Sequence, residues 1–243
     1  HNRKKVNIVL SIFILSKNKL KYLTGKEAKL SSLEKKKVIK FALPASATII
    51  TFMFYGSIDM VMLGGFVHSE YIGYYRAALS LVSAVIPLIT FAIVLLQIFS
   101  RMKNKALEKG FKKSLLITLW ISLISAFFIF SFSPLIINII YGGLYGPSIN
   151  LLRLFSLLIV SSSLSTMYVT YFNAKGKPII VARLLIISVI LNAILNFLAI
   201  FLLRDYGDLF VVYGVTAATI VTGWFYMICF IISKKRENNR RDI

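Results

Sequence analysis

The chain has one cysteine, Cys229, and two histidines, His1 and His68. A single thiol builds no disulfide framework, and no His, Cys, Asp or Glu cluster stands at metal-ligand spacing. Acid is scarce too, with 9 Asp and Glu against 29 Lys and Arg, a formal charge of +20. No nucleophile lies beside a candidate base, and no glycine loop of the phosphate-cradling kind precedes a lysine. The pattern is not that of an enzyme, and neither a cofactor nor a metal is expected. Nucleic acid is not an expected partner either, because a soluble basic face is missing.

What the chain has is hydrocarbon, at 58% hydrophobic residues, gathered into blocks with the charges between them. Six blocks are long enough to span a bilayer: Phe41–Phe66, Ala77–Ser100, Ser114–Ile140, Ile149–Asn173, Ile179–Leu203 and Gly214–Ser233. None alternates at period two, so membrane strands are excluded and helices are expected. A shorter apolar run, Val6–Leu15, would rise only about 15 Å as a helix, roughly half a hydrocarbon core. It reads as the tail of an upstream helix, which makes the chain an expected fragment of a longer protein. The expected organisation is therefore residues 1–15 ending that helix, a basic connector at 16–40, a six-helix lobe at 41–233 and a basic tail at 234–243.

Loop charge gives the orientation. Residues 16–40 hold nine Lys, and the loop between the second and third blocks holds Arg101, Lys103, Lys105, Lys109, Lys112 and Lys113. Lys175 and Lys177 join the fourth block to the fifth, and Lys234, Lys235, Arg236, Arg240 and Arg241 fill the tail. The opposite loops offer Arg76 and Arg204. The protein is expected in the cell membrane as a multi-pass chain with a cytoplasmic C-terminus. Within the connector, Ser31 and Glu34 fit a capping box that would start a helix leading into the first block. Its leucines among lysines suit either an anionic leaflet or a plain solvated link.

Few polar residues enter the blocks. Asp59 is the single carboxylate there, and a charge at mid-bilayer costs roughly 2.5–3.5 kcal/mol. Pro44, Thr48, Thr51, Tyr55 and Asp59 recur at three- and four-residue steps, a stripe along one helix face. Such a stripe faces either a polar cavity or neighbouring helices that it hydrogen-bonds. Arg153 enters the fourth block, where it can pair with Asp59, hold a phosphate or snorkel to headgroups. Arg183 lies one turn inside the fifth block, in a snorkelling position. Ser188, Asn192 and Asn196 form a second stripe, and Ser156, Ser163, Thr166 and Thr170 a third. Pro87 and Pro134 are candidate kinks.

Several stretches resemble the C-terminal half of a Wzx-type polysaccharide flippase, in the multidrug/oligosaccharidyl-lipid/polysaccharide (MOP) exporter superfamily. They are Phe41-Ala42-Leu43-Pro44 through Ser57-Ile58-Asp59-Met60-Val61-Met62-Leu63-Gly64, then Glu70-Tyr71-Ile72-Gly73-Tyr74-Tyr75-Arg76-Ala77-Ala78. Ile139-Ile140-Tyr141-Gly142, Asn173-Ala174-Lys175-Gly176-Lys177-Pro178, Leu191-Asn192 with Asn196, and Gly214-Val215-Thr216-Ala217-Ala218 come after them in order. The charged stretch Arg204–Tyr213 is longer than the usual short turn there.

The resemblance implies an all-α fold, one lobe of a MATE/MOP-like pair of six-helix lobes around a cavity open alternately to either side. Its partners would be an N-terminal six-helix lobe, membrane lipid and a lipid-diphosphate-linked oligosaccharide. On that reading Thr48, Thr51, Tyr55 and Asp59 line the cavity, Arg153 meets phosphate, and Asn192 and Asn196 support the site. Two rivals stand beside it. One is a multidrug or cation antiporter in which Asp59 binds Na⁺ or H⁺; the other is a non-transporting membrane scaffold.

Overall fold

The computed structural model describes residues 56–102 and 104–239, together with positions 39, 43, 46 and 51. The chain divides into residues 1–40 and 41–243, and the helix bundle belongs to the second unit. The run Val6–Leu15, the connector with its capping box at Ser31 and Glu34, and Pro44, Thr48 and Tyr55 lie outside the described residues.

The described fold is a polytopic bundle of helices with no strand among the described residues. Residues 56–64 form α1, followed by α2 (Ser69–Thr90), α3 (Ala92–Arg101) and α4 (Asn104–Ile140). Then come α5 (Ser148–Ala174), α6 (Pro178–Leu203) and α7 (Asp208–Asn239). Among the described residues five spans are long and apolar enough to cross a membrane: Ser69–Arg101, Lys105–Ile140, Ser148–Ala174, Pro178–Tyr206 and Asp208–Glu237. Most of the first expected block lies outside the described residues, apart from α1 and three isolated positions.

Three boundaries differ from the sequence expectation. The basic stretch before Ser114 is helical from Asn104, because Leu107 and Phe111, one turn apart, are buried in the core. Lysines on the other faces of that turn stay exposed. The stretch Arg204–Tyr213 is a 3-10 turn, Arg204–Tyr206, then Gly207 at φ 104° and the first turns of α7. The second block begins at Ser69 and breaks at Phe91, which has φ 44° and ψ 34°. Pro87 sits one turn before that break, and Phe91 N–H closes on the Pro87 carbonyl at 3.3 Å. A left-handed aromatic residue costs on the order of 1–3 kcal/mol. Pro134, by contrast, lies inside an uninterrupted α4.

The least apolar span is the most enclosed. In α5 56% of the most apolar stretch is buried, against 17% in the Ser69–Arg101 span. A helix withdrawn from lipid can carry serine, and small residues let its neighbours approach closely. Two apolar clusters surround it. One joins Leu63, Tyr75, Ala78, Val82, Ile89, Ile137, Phe155, Ile159 and Val212 near the 141–147 turn. The other joins Phe99, Leu107, Phe111, Met167, Tyr171, Phe172, Val181 and Phe230 at the basic end. Outward faces such as Leu116, Trp120, Ile124 and Phe127 on α4 are exposed, as lipid contact requires.

Glycine permits a close helix approach. A Cβ on Gly223 of α7 would meet Leu158 Cδ1 of α5 at 2.5 Å and Ser161 Oγ at 3.2 Å. Gly223→Leu is therefore expected to lower stability by about 1–3 kcal/mol. Thermal unfolding in detergent measures this, and an unchanged midpoint would mean that α5 and α7 do not meet closely there.

Candidate functional site

Asp59 lies within α1 and is 2% exposed. Its carboxylate ties four helices together. Tyr75 of α2 donates its hydroxyl to Asp59 Oδ2 at 2.5 Å, and Asn196 Nδ2 of α6 donates to Oδ1 at 2.6 Å. The Thr219 hydroxyl of α7 stands 3.0 Å from Asp59 Oδ2 and 3.0 Å from the Val215 carbonyl of its own helix. Asn196 Nδ2 also reaches Asn192 Oδ1 at 3.2 Å. Tyr75 is fully buried, its ring edge-on to Phe155 of α5 at 5.2 Å, so packing fixes the direction of its hydroxyl.

The sequence offers Asp59, Asn192 and Asn196 as cavity lining. All three are enclosed between helices; Asp59 and Asn196 are hydrogen-bonded across them and Asn192 bonds Asn196 within α6, the alternative that the polar stripe leaves open in the sequence. An apolar groove of about 470 Å³ lies between α2 and α4, lined by residues such as Leu81, Ala84, Phe128 and Leu152, and contains none of the expected site residues. Thr51 is half-buried. Arg153 does not pair with Asp59. It is half-buried, its guanidinium donates to Asn150 Oδ1 at 3.3 Å, and it forms no ion pair among the described residues.

A second polar cluster closes the basic end. Lys234 Nζ donates to Glu108 Oε2 at 2.8 Å, and Lys175 Nζ lies 3.2 Å from Glu108 and 3.4 Å from Glu237. Lys177 reaches Glu237 at 2.5 Å. The Tyr171 hydroxyl donates to Glu108 and accepts from Lys175. The cluster joins α4, α5 and α7, with Lys234 also over the rings of Phe111 and Tyr171. In the sequence these lysines signal orientation alone.

Comparison with known proteins places the chain. Residues 6–150, more than half of it, match a family described as polysaccharide biosynthesis protein. The chain belongs to that family. No curated protein and no solved structure matches it. The polysaccharide-biosynthesis match covers Asp59, Tyr75 and the connections through α4, while Asn192, Asn196 and Thr219 lie beyond it.

Two members of the node in this polysaccharide-biosynthesis protein, Tyr75 and Thr219, are not among the expected site residues. Thr219 carries a signal, since Thr216, Thr219 and Thr222 recur every three residues and all three are buried. Tyr75 carries none beyond its position, because an aromatic residue one or two turns into a span reads equally as an interfacial anchor.

Chemically, the node is one carboxylate among neutral donors. Among the described residues no group of three His, Cys, Asp or Glu could hold a metal ion. The atoms that converge are the Asp59 carboxylate, two hydroxyls and two amides, a set suited to a hard cation and poorly suited to transition metals. Asn192 Nδ2 and Asn196 Oδ1 are buried without a hydrogen-bond partner, so the amides retain unused capacity beside the carboxylate.

Tyr75→Phe is expected to cost on the order of 1 kcal/mol of stability, the scale of hydrogen bonds between membrane helices. Asp59→Ala should cost more, because three donors lose one acceptor. Unfolding midpoints of the two variants decide this; two negligible shifts would dissolve the node as a structural tie.

Proposed function

We propose that the chain is the C-terminal half of a flippase that moves lipid-diphosphate-linked oligosaccharide from the cytoplasmic to the outer leaflet for polysaccharide biosynthesis. Its basic ends and C-terminus face the cytoplasm, and a preceding six-helix lobe completes the cavity. The polysaccharide-biosynthesis family supports the setting, and Arg153 carries the substrate assignment. A half-buried arginine with no carboxylate partner among the described residues, at the turn end of the most enclosed span, suits a diphosphate. A hydrated sugar does not cross hydrocarbon unaided, so the two lobes supply a polar path while the lipid tail stays in the bilayer. The transfer breaks no covalent bond, and no residue is assigned a catalytic role.

The Asp59 node favours a second reading of the same protein, as a cation-coupled antiporter of the multidrug type. Here Asp59, Thr219 and Tyr75 hold Na⁺ or a proton, with the oxygens of Asn192 and Asn196 completing the shell. Amide orientation is an assignment, and turning the Asn196 amide over presents its oxygen to the ion. In either reading the node couples to transport from inside the lobe, and the substrate contact lies elsewhere.

Two measurements test these readings. In proteoliposomes holding the full-length protein, Arg153→Gln is expected to weaken binding of a diphosphate-linked lipid by about tenfold or more, the scale of a lost charged hydrogen bond. Unchanged affinity would leave Arg153 as a headgroup anchor and remove the substrate assignment. Replacing choline with Na⁺ is expected to raise the unfolding midpoint of the wild type, through a stabilisation of about 2.7 kcal/mol at one hundred times the dissociation constant. Asp59→Asn should lose that response. A sodium shift that persists in Asp59→Asn would move the ion elsewhere.

A further inference from the structure

The Ser69–Arg101 span is interrupted in its backbone, and the interruption falls where the core changes hands. On one side, Val82 and Ile89 of α2 are buried in the cluster near the 141–147 turn. On the other, Phe99 of α3 is 1% exposed in the basic-end cluster, with Leu95 and Met102 packed against it. Between them stands Phe91, the only non-glycine residue with positive φ among the described residues. Its ring is 64% exposed, so its own packing does not impose the strained conformation. The helical ladder resumes only beyond it, with Leu95 N–H on the Phe91 carbonyl at 3.0 Å.

The level of the break is thinly packed. Of residues 161–166 of α5 Leu164 alone packs against either cluster, and it is only partly buried. Ser163 and Ser165 are buried there, and their hydroxyls have no hydrogen-bond partner. Below this waist α3 rests chiefly on α5 and touches α4 little. Its grip comes from Phe99 and from Met102, whose sulfur lies 3.1 Å from where a Cβ on Gly110 would stand. The other described spans of the bundle cross the same level as continuous helices. A short helix held by few anchors and joined to α2 by one strained residue is built to pivot.

We infer that Ala92–Arg101 is a gate segment at the basic end of the lobe, hinged at Phe91. In one position Phe99 sits among Phe111, Tyr168 and Tyr171; in the other it leaves that cluster and α3 swings away from α5. Pro87 has no N–H to give the Ser83 carbonyl, which loosens the turn that leads into the hinge. This use of the hinge in transport rests on the flippase reading, whereas the motion itself does not.

The motion is tested in the full-length protein in lipid nanodiscs, in a Cys229→Ala background. Spin labels at Gln97 on α3 and Arg236 on α7, both exposed, report the swing; labels at Lys112 on α4 and Arg236 are the reference. The Gln97–Arg236 distance is expected in two populations, and the reference in one. Pro87→Ala combined with Phe91→Ala, which permits one continuous helix, should merge the two. A single narrow distance for both pairs would overturn the hinge. The use is tested by Met102→Cys with Gly110→Cys, joined by a short bis-maleimide, which is expected to abolish translocation of diphosphate-linked lipid while the unlinked variant retains it. Linked protein that translocates at the unlinked rate would overturn the gate and leave the flippase reading standing. Failure of the wild type to translocate would remove that reading, with the hinge still decided by the distances.

Discussion

A carboxylate buried at bilayer depth has few stable surroundings, and the packing of this lobe around Asp59 reflects that constraint. Among the described residues no ammonium or guanidinium lies within ion-pair distance of the charge, which is met by donors from Tyr75, Asn196 and Thr219. Each donor belongs to a different helix. Four helices therefore share one acceptor, and none can shift along its axis without stranding the charge or a buried donor. The neighbouring side chains are consistent with this demand: Phe155 backs the Tyr75 ring, and Asn192 supports the Asn196 amide.

The opposite end of the lobe uses the reverse arrangement. There Glu108 and Glu237 are surrounded by Lys175, Lys177 and Lys234, with two of those lysines against aromatic rings. Near the interface, opposite charges can be matched directly, whereas deeper in the bundle neutral donors replace them. The two ends hold the continuous helices at top and bottom. The waist between them, rich in small hydroxyls, carries little apolar grip. A proline and a strained residue placed at that level in one span give the lobe a mobile part within an otherwise tied frame.

Family membership and geometry bear on different questions. The polysaccharide-biosynthesis match, over residues 6–150, sets the biological context, but it stops before α6 and α7. Two of the three cross-helix partners of Asp59, Asn196 and Thr219, lie beyond that stretch. The node therefore belongs to the lobe as a folded unit and not to the matched segment alone.

Much of this was legible in the residues. Six apolar blocks, the lysines between them and the stop at Asn173–Pro178 come from local physics. Hydrocarbon demands helices, cations resist translocation, and Gly176 at φ 68° before Pro178 ends one helix and starts the next. The polar stripe of Ser188, Asn192 and Asn196 was visible for the same reason, since a four-residue step survives in any helix. What a stripe faces is not local. Periodicity says that Asp59 and Asn196 each turn polar atoms to one side; it does not say that those sides meet, because partners 137 and 160 residues away are chosen by packing. Tyr75 and Thr219 entered the node, Arg153 stayed out of it, and a lysine-rich loop became helix because Leu107 and Phe111 found a core. Composition and spacing determined that this chain is a membrane helix bundle and which of its side chains are polar within it. Only the tertiary arrangement decided which of those side chains share one buried charge, since that depends on how helices far apart in the chain lie against each other.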